Sequence, residues 1–414
     1  MNNSITKRIA IKAECSFSAP ALIGSGTDNN TDSDIIRDSM DTPFIPGSSI
    51  AGVLRSYITD AEPLFGNGDE ASPLFVYDSE FKDYKVIELD GVAIDYENKI
   101  AKDGAKYDFE AIDTGAGFDI CLLLNIRKND STHEEKLKTL VGALKHGISL
   151  GAKTNRGFGR VQCDKVYCRI FDFTNETGLS EWINFDRRTD KEWKSAEYNE
   201  FKDSCSVLRA ELILTGSIMI RDNRNISSDA DYMHISSNGK PVIFGTSWAG
   251  AFRSGLFKML KPRFDNTEAY IDEVFGKKSN DNKDEDFTVS KVVFCASFLE
   301  EINPIVNGYR SITRVKIDRF TGGAANGALF EEEPWYGGRT TLEIRYPKDR
   351  KDIEELILLG LCGIDRGMIQ IGGEASIGRG FFKIESVGID GVTKAINEQK
   401  HELIKAIRKE GEPG

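Results

Sequence analysis

The chain carries the same short motifs twice, in the same order, and this duplication limits its possible folds more than any other feature. In the longest matched pair, Ile45–Ser56 and Ile243–Ser254, seven of twelve positions are identical. The shorter matched pairs are Leu64–Gly66 with Val274–Gly276, Pro73–Tyr77 with Lys291–Cys295, Val92–Asp95 with Val315–Asp318, Gly104–Glu110 with Gly327–Glu331, and Arg156–Val161 with Arg379–Ile384. Because the order is constant, we interpret the chain as two tandem copies of one domain.

Each copy follows the same pattern of strands and helices. An alternating apolar strand opens it, at Arg8–Phe17 and Leu208–Ile220. A helix then starts at Gly-Ser-Ser or Gly-Thr-Ser, whose hydroxyls are predicted N-caps. A second apolar-periodic helix, Glu135–Lys145 or Asp352–Ile364, leads through a glycine-rich turn into a closing strand. This order predicts two ferredoxin-like α+β domains.

The boundaries follow from the repeats and from the segments between and after them. We predict a first domain over residues 1–170, a connector over 171–206, a second domain over 207–391 and a charged tail over 392–414. The connector contains Trp182 and Trp193, so it is expected to pack on one domain rather than act as a flexible linker. The tail is predicted to form a charged, solvated helix.

Composition excludes several classes of protein. The chain has no apolar run long enough to span a membrane and no signal-peptide pattern at its start. Its 7 cysteines form no CxxC pair, which favours reduced thiols and a cytoplasmic location. The net charge is −12, from 54 basic and 66 acidic residues, so any nucleic-acid site must rest on a local cluster of cations.

The start of the first helix in each copy has the composition of a phosphate contact. Glycine permits close approach, the first-turn amides point outward, and an arginine follows two turns later. Ordinary capping of a core helix explains the hydroxyls equally well. The candidate RNA-binding residues are Gly47, Ser48, Ser49 and Arg55 in the first copy, and Gly245, Thr246, Ser247 and Arg253 in the second.

The glycine-rich turn is the second candidate for backbone contact. It spans Gly151–Arg160 in the first copy and Gly372–Phe381 in the second. Neither copy ends in the Gly-Lys-Ser/Thr of a P-loop, and both follow a helix, the reverse of a dinucleotide-binding turn. A plain tight turn is the alternative, but the cations favour RNA contact. These cations are Lys153, Arg156, Arg160 and Arg379.

A polar loop lies between the opening strand and the capped helix, at 23–38 and 221–234. An exposed aspartate beside bound RNA could bring Mg²⁺ or a water to the 2′-hydroxyl. Loops rich in Asp, Asn and Ser are more often simple turns.

Together these motifs resemble the RAMP superfamily. The resemblance lies in Asp32–Asp38 with Thr42–Arg55, in Ile317–Gly322 as a thumb hairpin, and in Arg156–Arg160 as the glycine-rich loop. It is strongest to the backbone subunits of type III CRISPR effector complexes, and the tandem pair resembles their fused forms. It implies two RRM-like RAMP domains with inserted thumbs that bind guide CRISPR RNA, complementary target RNA, and other RAMP, large or small subunits.

The resemblance also implies the site residues. In that family a loop aspartate promotes metal-dependent cleavage of target RNA, and the thumb enters between guide and target. The aspartate falls on Asp32 in the first copy, with Asp34 as the alternative. In the second copy it falls on Asp229, with Asp231 as the alternative. Asp32 and Asp229 are the predicted Mg²⁺ ligands, and Arg319 and Phe320 lie at the second thumb.

Two other functions remain open. One is a backbone subunit that binds RNA without catalysis. The other is a metal-independent endoribonuclease that processes guide precursors, for which His146 and His234 are the candidate acids or bases. Neither histidine recurs between the copies, which ranks processing last.

Overall fold

The computed structural model describes residues 4–26, 31–94, 101–128, 130, 132–222, 230–277, 288–303, 305–396 and 401–408. The chain forms two compact units. The first contains residues 1–89, 108–154 and 158–202. The second contains residues 90–107, 155–157 and 203–414. The aromatic connector therefore belongs to the first unit as far as Lys202.

The chain up to Lys202 begins with a long strand and alternates strands with helices. Its strands are β1 (Ile5–Phe17), β2 (Phe44–Ile45), β3 (Leu74–Val76), β4 (Ser79–Glu80), β5 (Val86–Ile94), β6 (Ala101–Ile112), β7 (Gly117–Arg127), β8 (Ile148–Ser149), β9 (Arg160–Asp172) and β10 (Lys194–Ser195). Its helices are α1 (Gly47–Ser56), α2 (Glu62–Phe65), α3 (His133–His146) and α4 (Glu176–Ile183).

The main sheet of the first unit confirms the predicted ferredoxin-like fold. Its strands lie in the order β10-β9-β1-β7-β3 and are antiparallel to their neighbours. One helix, α1, follows the first strand, and another, α3, precedes the last. The hairpin of β5 and β6 is inserted between β3 and β7. Alternation along β1 buries Ile9, Ile11 and Ala13 opposite Leu124, Leu122 and Ile120 of β7.

The connector covers the other face of the first sheet. Ala10, Leu123 and Phe171 are buried there beneath the partly buried Trp182, Phe185 and Trp193. The Arg8 guanidinium carbon lies 4.4 Å from the ring centroid of Trp182, a cation–π contact that helps hold the connector in place. This packing confirms that the connector is not a flexible linker.

The chain from Asp203 onward repeats this arrangement. Its strands are β11 (Cys205–Thr215), β12 (Ser217–Ile218), β13 (Arg221–Asp222), β14 (Tyr232–His234), β15 (Ser236–Ser237), β16 (Lys240–Ile243), β17 (Val293–Phe294), β18 (Ser297–Phe298), β19 (Gly308–Tyr309), β20 (Ile312–Ile317), β21 (Ala324–Glu333), β22 (Trp335–Tyr336), β23 (Arg339–Pro347), β24 (Phe381–Ile389) and β25 (Val392–Thr393). Its helices are α5 (Gly245–Leu260), α6 (Thr267–Phe275), α7 (Lys351–Asp365) and α8 (His401–Ile407).

The second sheet has the same topology as the first. Its order is β17-β23-β11-β24-β25. Strand β17, which follows α5 and α6, lies at one edge, and the closing strand β24 pairs with the opening strand β11. A bulge interrupts the pairing of the opening and closing strands between Glu14 and Cys15, and again between Glu211 and Leu212. An irregularity at the same place in both sheets supports the duplication read from the sequence.

The tail corrects one expectation. It was predicted to be a solvated helix, but β25 joins the second sheet and α8 packs on α7. Leu403 and Ile407 of α8 are fully buried, and the amide of Leu403 donates to a Glu355 carboxylate oxygen at 2.9 Å. Lys405 and Arg408, charged residues in the described part of the tail, lie on the exposed side of this packed segment. Among the described residues, no helix is long and apolar enough to cross a membrane.

Candidate functional site

Asp32 is an exposed loop residue fastened to the return strand of the β5–β6 hairpin. Its Oδ2 accepts a hydrogen bond from the amide of Asp108, and its own amide donates to Oδ1 of Asp108, both at 3.0 Å. Each carboxylate thus uses one oxygen to hold the opposing backbone. Two carboxylates from different parts of the chain are brought side by side in this way.

Asp231 is fastened in a related way in the second copy, except that its amide donates to a backbone carbonyl rather than to a carboxylate. Its Oδ2 accepts from the amide of Glu331, and its amide donates to the Glu331 carbonyl, both at 2.9 Å. A second observation also makes Asp231 the counterpart of Asp32. Ile36 and Ile235, each four residues after the aspartate, donate to the carbonyls of Ile23 and Ile220.

The two alternative aspartates fare differently. Asp34 is buried, and its Oδ1 accepts from both the amide and the hydroxyl of Thr31 at 2.9 Å. It therefore stabilises the loop and does not face solvent, which corrects its candidacy for catalysis. Asp229 lies outside the described residues. The geometry pairs Asp32 with Asp231, which the resemblance gives as the alternative to Asp229.

A buried ion pair braces the first loop. Arg37 donates to both carboxylate oxygens of Glu110 at 2.8 Å, and the amide of Ile35 also donates to Glu110 at 3.1 Å. Glu110 stands two residues after Asp108 on β6, so adjacent positions of one strand hold the loop. This pair raises the pKa of Arg37 above its ordinary value, chiefly through the hydrogen bonds to Glu110.

The first glycine-rich turn presents its cations in three different ways. Lys153 lies over the ring of Phe109, with Nζ 3.2 Å from the centroid. Arg156 is exposed and donates to the Tyr107 hydroxyl at 3.1 Å. Arg160 donates to the carbonyls of Gly147 and His146 at the C-terminal end of α3, so it caps that helix. Arg160 thus has a structural role at this helix end, and its contact with RNA stays a prediction.

The structure changes which residues of the second glycine-rich turn are aligned with those of the first. In the first copy the amide of Leu150 donates to the Gly159 carbonyl, and in the second the amide of Ile371 donates to that of Gly380. The turns therefore align without a gap, which places Glu374 at the position of Lys153. Matching the letters Arg-Gly-Phe pairs Arg156 with Arg379, which is two positions out of step with this alignment. The second turn consequently lacks the cations of the first.

Arg379 is a buried structural residue. It is 4 % exposed and binds the carboxylates of Glu332 and Glu374 through its two terminal nitrogens. Glu332 is itself completely buried, and Arg314 adds a 3.4 Å ion pair to it. Because both ends of the guanidinium are used inside the fold, the prediction that Arg379 contacts RNA is corrected.

The helix starts also differ from expectation. Pro46 and Phe244 are the N-cap residues, and no side chain caps either helix. Glycine follows because a Cβ on Gly47 would collide with the carbonyl oxygen of Val76, and one on Gly245 with that of Phe294. Ser48 and Thr246 are exposed, while Ser49 and Ser247 are partly buried. The amide of Gly47 donates to an Asp78 carboxylate at 2.6 Å, which competes with the predicted phosphate contact.

The two helix arginines have separate environments. Arg55 is exposed. Arg253 donates to the Gly276 carbonyl at 2.8 Å and forms an ion pair with Asp272. Arg253 therefore ties α5 to α6, and its contact with RNA stays a prediction.

The tip of the β20–β21 hairpin displays an ordered aromatic side chain. Phe320 is 99 % exposed, and Arg319 beside it is also exposed. Asp318 accepts hydrogen bonds from the amides of Phe320 and Thr321, which fixes the turn. These hydrogen bonds hold the pKa of the Asp318 carboxyl below its usual range, and the bond from the Thr321 amide contributes most. An apolar ring held in water by a rigid turn is suited to contact with a partner.

A cleft of about 460 Å³ opens beside Asp231. Its walls also include Arg221, Tyr232, Leu329 and Phe330. The guanidinium carbon of Arg221 lies 4.2 Å from the centroid of Tyr232. The cleft thus combines a carboxylate, a cation and apolar surface within the second unit.

Family membership follows from the sequence profile of the RAMP superfamily, which matches residues 14–162 and 214–383, well over half of the chain. The chain belongs to the RAMP superfamily. One matched stretch falls in each copy, so the sequence contains two RAMP domains. No curated protein sequence matches the chain.

Solved structures give distant likenesses to the RAMP chain. A chain of the type III-B Cmr-beta bound to cognate target RNA, seen by cryo-EM, is 20% identical, with a TM-score of 0.32. The match covers 40% of this chain and 61% of that one. A chain of the apo type III-B Cmr-beta is 13% identical, with a TM-score of 0.31, over 37% of this chain and 96% of that one. The family assignment rests on the sequence profile.

The RAMP loops offer hard oxygen donors for a divalent cation. In the described residues, no group of three or more His, Cys, Asp or Glu side chains could hold a metal. The first loop nevertheless supplies two carboxylates, those of Asp32 and Asp108, and the second loop supplies the exposed carboxylate of Asp231. Mg²⁺ is commonly held by one or two carboxylates together with substrate phosphates and water. The residues present therefore fit such an ion when RNA supplies the remaining ligands.

The histidines do not form an acid–base site. His234 is fully buried, accepts a hydrogen bond from the Ile220 amide at 3.1 Å, and has a pKa lowered to about 3 by burial. It is therefore uncharged and inaccessible at neutral pH. His146 is exposed in the last turn of α3. Neither environment supports the metal-independent processing chemistry considered from the sequence.

The buried His234 should make the second unit less stable in mild acid. The unfolded chain takes up a proton at this group near pH 6.5, and the folded chain only near pH 3. Stability is therefore lost as pH falls below 6.5, by about 2 kcal/mol between pH 6.5 and 5. We expect the free energy of unfolding, measured in urea at several pH values, to fall less with decreasing pH in His234→Asn than in wild type or in His146→Gln. An equal pH dependence of the unfolding free energy in His234→Asn and wild type would refute the assignment.

Sequence reasoning missed several RAMP site residues. Asp108 and Glu331 lie in segments recognised as repeats, yet their carboxylate and backbone contacts with the loops depend on strand register. Arg221 and Tyr232 lie in the loop that was examined only for aspartates. A gapless alignment of the glycines of the two turns would have revealed Glu374 opposite Lys153.

Proposed function

We propose that the chain is a double backbone subunit of a type III CRISPR effector complex. In this role it binds guide RNA and cleaves complementary target RNA at Asp32 and Asp231 with a divalent cation. One observation carries the proposal. In both copies an exposed loop aspartate accepts a hydrogen bond, through its carboxylate, from a backbone amide on the return strand of a hairpin inserted in a RAMP domain, and its own amide donates back to the same residue of that strand.

The chemistry assigned to each site needs few protein groups. A bound Mg²⁺ would polarise the scissile phosphate and stabilise the charge that develops there. Asp32 and Asp108 in the first copy, or Asp231 in the second, would hold the ion at the loop. The neighbouring 2′-hydroxyl gives its proton to water as its oxygen attacks phosphorus, which forms a cyclic phosphate, and the departing 5′-oxygen takes up a proton from water. Because the ribose supplies the nucleophile and water carries the protons, the reaction needs no histidine or lysine from the loops.

RNA binding is assigned to a small set of exposed groups. Arg55 and Arg156 are exposed cations of the first copy, and Lys153 adds a third charge. Phe320 and Arg319 project from the second hairpin. The protein would contact backbone and shape, while guide–target pairing reads sequence. The acidic residues responsible for the net charge of −12 would then lie on surfaces away from RNA, where salt screens them. Guide RNA, target RNA and further effector subunits are the proposed partners.

A backbone subunit without catalysis is the second candidate. The small number of ligands favours it, since the first loop brings together two carboxylates and the second presents that of Asp231, rather than the larger sets typical of dedicated metal sites. RNA binding is common to both candidates. Cleavage separates them.

The complex purified from native cells through a tag on this chain decides between the candidates. We expect a small RNA of uniform 5′ end to copurify. A labelled complementary RNA should then be cut at two positions in Mg²⁺ and at neither in EDTA. Copurifying RNA without any cut would support the non-catalytic subunit, and cuts that persist in EDTA would revive metal-independent processing. The proposal as a whole fails if no RNA copurifies.

A further inference from the structure

The two copies carry a positive charge at different positions around the same site. Gly24 follows Ile23 just as Arg221 follows Ile220, and the carbonyls of both isoleucines accept the matching loop amides. Arg221 therefore replaces Gly24. Across the site, Glu374 replaces Lys153. In the second copy the cation has moved from the glycine-rich turn to the strand that leads into the loop.

Arg221 is held in place by two neighbours. Its Nη2 lies 3.2 Å from Oε1 of Glu374, and its guanidinium carbon lies 4.2 Å from the Tyr232 centroid. Glu374 is anchored in turn by Arg379 and by Arg314. A guanidinium fixed by one carboxylate and one ring keeps further N–H donors for another acceptor.

Exposure separates Arg221 from the other arginines of this network. Its side chain is 49 % exposed, against 31 % for Arg314 and 5 % for Arg379. The three guanidinium groups outnumber the two carboxylates that they contact, those of Glu332 and Glu374. Because Arg221 is exposed and lines the cleft of Asp231, its guanidinium is accessible beside the candidate cleavage residue.

We propose that Arg221 binds the phosphate of the target RNA that is cut at the Asp231 site. Glu374 and Tyr232 act as positioning residues for its guanidinium. The inference rests on the proposed function and deepens it, because it names the phosphate-binding group of the second site. The planar fork of arginine matches two phosphate oxygens, and its charge offsets the charge that develops during cleavage. Lys153 supplies the corresponding charge in the first copy.

Cleavage by the reconstituted complex tests the role of Arg221 in the reaction. With Arg221→Gln, we expect the Asp231-dependent cut to slow by about 10- to 100-fold. The Asp32-dependent cut on the same RNA should keep its rate. In Arg221→Lys, the rate of the Asp231-dependent cut should lie between those of wild type and Arg221→Gln, because lysine keeps the charge and loses the planar fork of N–H donors. Equal slowing of both cuts, or no slowing of either, would overturn the proposal.

Arg209→Gln is the matched control. Arg209 is also an exposed arginine with a single carboxylate partner, Glu343 at 3.0 Å, and it lies on β11 outside the residues that line the cleft. Both cuts should proceed at the wild-type rate in this variant. A loss equal to that of Arg221→Gln would show that removal of any such charge suffices, against the proposal.

Binding measured without cleavage keeps this inference separate from the proposed function. In a complex carrying Asp32→Ala and Asp231→Ala, the logarithm of target affinity is followed against the logarithm of salt concentration. Adding Arg221→Gln should make the slope of this plot less steep by about 0.7–0.9, the change expected for the loss of one phosphate contact. An unchanged slope refutes the contact even if cleavage occurs. A reduced slope supports it even if the wild-type complex makes no cut, in which case only the cleavage proposal fails.

Discussion

Asp32→Ala should abolish one of two target cuts, slowing it by about a thousandfold, while the other cut continues at its normal rate. Asp231→Ala should do the reverse. The carboxylate in each case is the exposed one that could present a cation to RNA, so its loss removes the stabilisation that the ion gives to the developing charge. Each fragment can be quantified from end-labelled target RNA after incubation of the assembled complex with Mg²⁺.

Two comparisons sharpen this expectation. Asp229→Ala should leave both cuts intact, because the loop geometry equates Asp231, not Asp229, with Asp32. Guide RNA should copurify equally with all three variants. If Asp229→Ala removes a cut that Asp231→Ala leaves, the assignment of the second site is wrong. Survival of both cuts in a double Asp32→Ala, Asp231→Ala variant would remove this chain from catalysis.

Arg379→Met should destabilise the second unit by about 3–5 kcal/mol, because it leaves Glu332 charged and buried without its main partner. Urea unfolding followed by tryptophan fluorescence can measure the loss. Arg319→Met is the matched control, since Arg319 is exposed at the hairpin tip and its replacement should change stability by less than about 0.5 kcal/mol.

A double variant distinguishes an unpaired charge from lost packing. Replacing Glu332 with methionine as well should recover much of the stability, because apolar side chains of similar size can substitute for a buried ion pair. An Arg379→Met protein as stable as wild type would contradict the structural role given to this residue. It would also restore Arg379 as a candidate for RNA contact.

The general fold was accessible from the sequence because duplication tests each assignment twice. The opening strand, the helix after it, the second helix and the closing strand recur in both copies, and both sheets have the predicted order. Duplication could not predict the packing of α8. Leu403 and Ile407 are separated by one helical turn within a charged segment, and their burial depends on the surface that α7 offers.

The site was predicted in part, and its errors have a common cause. Asp32 is exposed, as expected from its loop. The identities of Arg379 and Arg253 suggested contact with RNA, but a cation can equally satisfy an internal carboxylate. Whether it does so depends on which acids lie nearby in space. Glu332 is 47 residues from Arg379 along the chain, a separation at which sequence gives no indication of contact.

Successive residues of β6 face opposite ways, and this alternation joins the parts of the first site. Tyr107 and Phe109 contact the glycine-rich turn through Arg156 and Lys153. Asp108 and Glu110 hold the loop of Asp32 and Arg37. A strand used on both faces can accept many changes of side chain, but inserting or deleting one residue would exchange its faces. Natural variation in the length of this hairpin should therefore accumulate toward its tip, while these four positions keep a constant spacing.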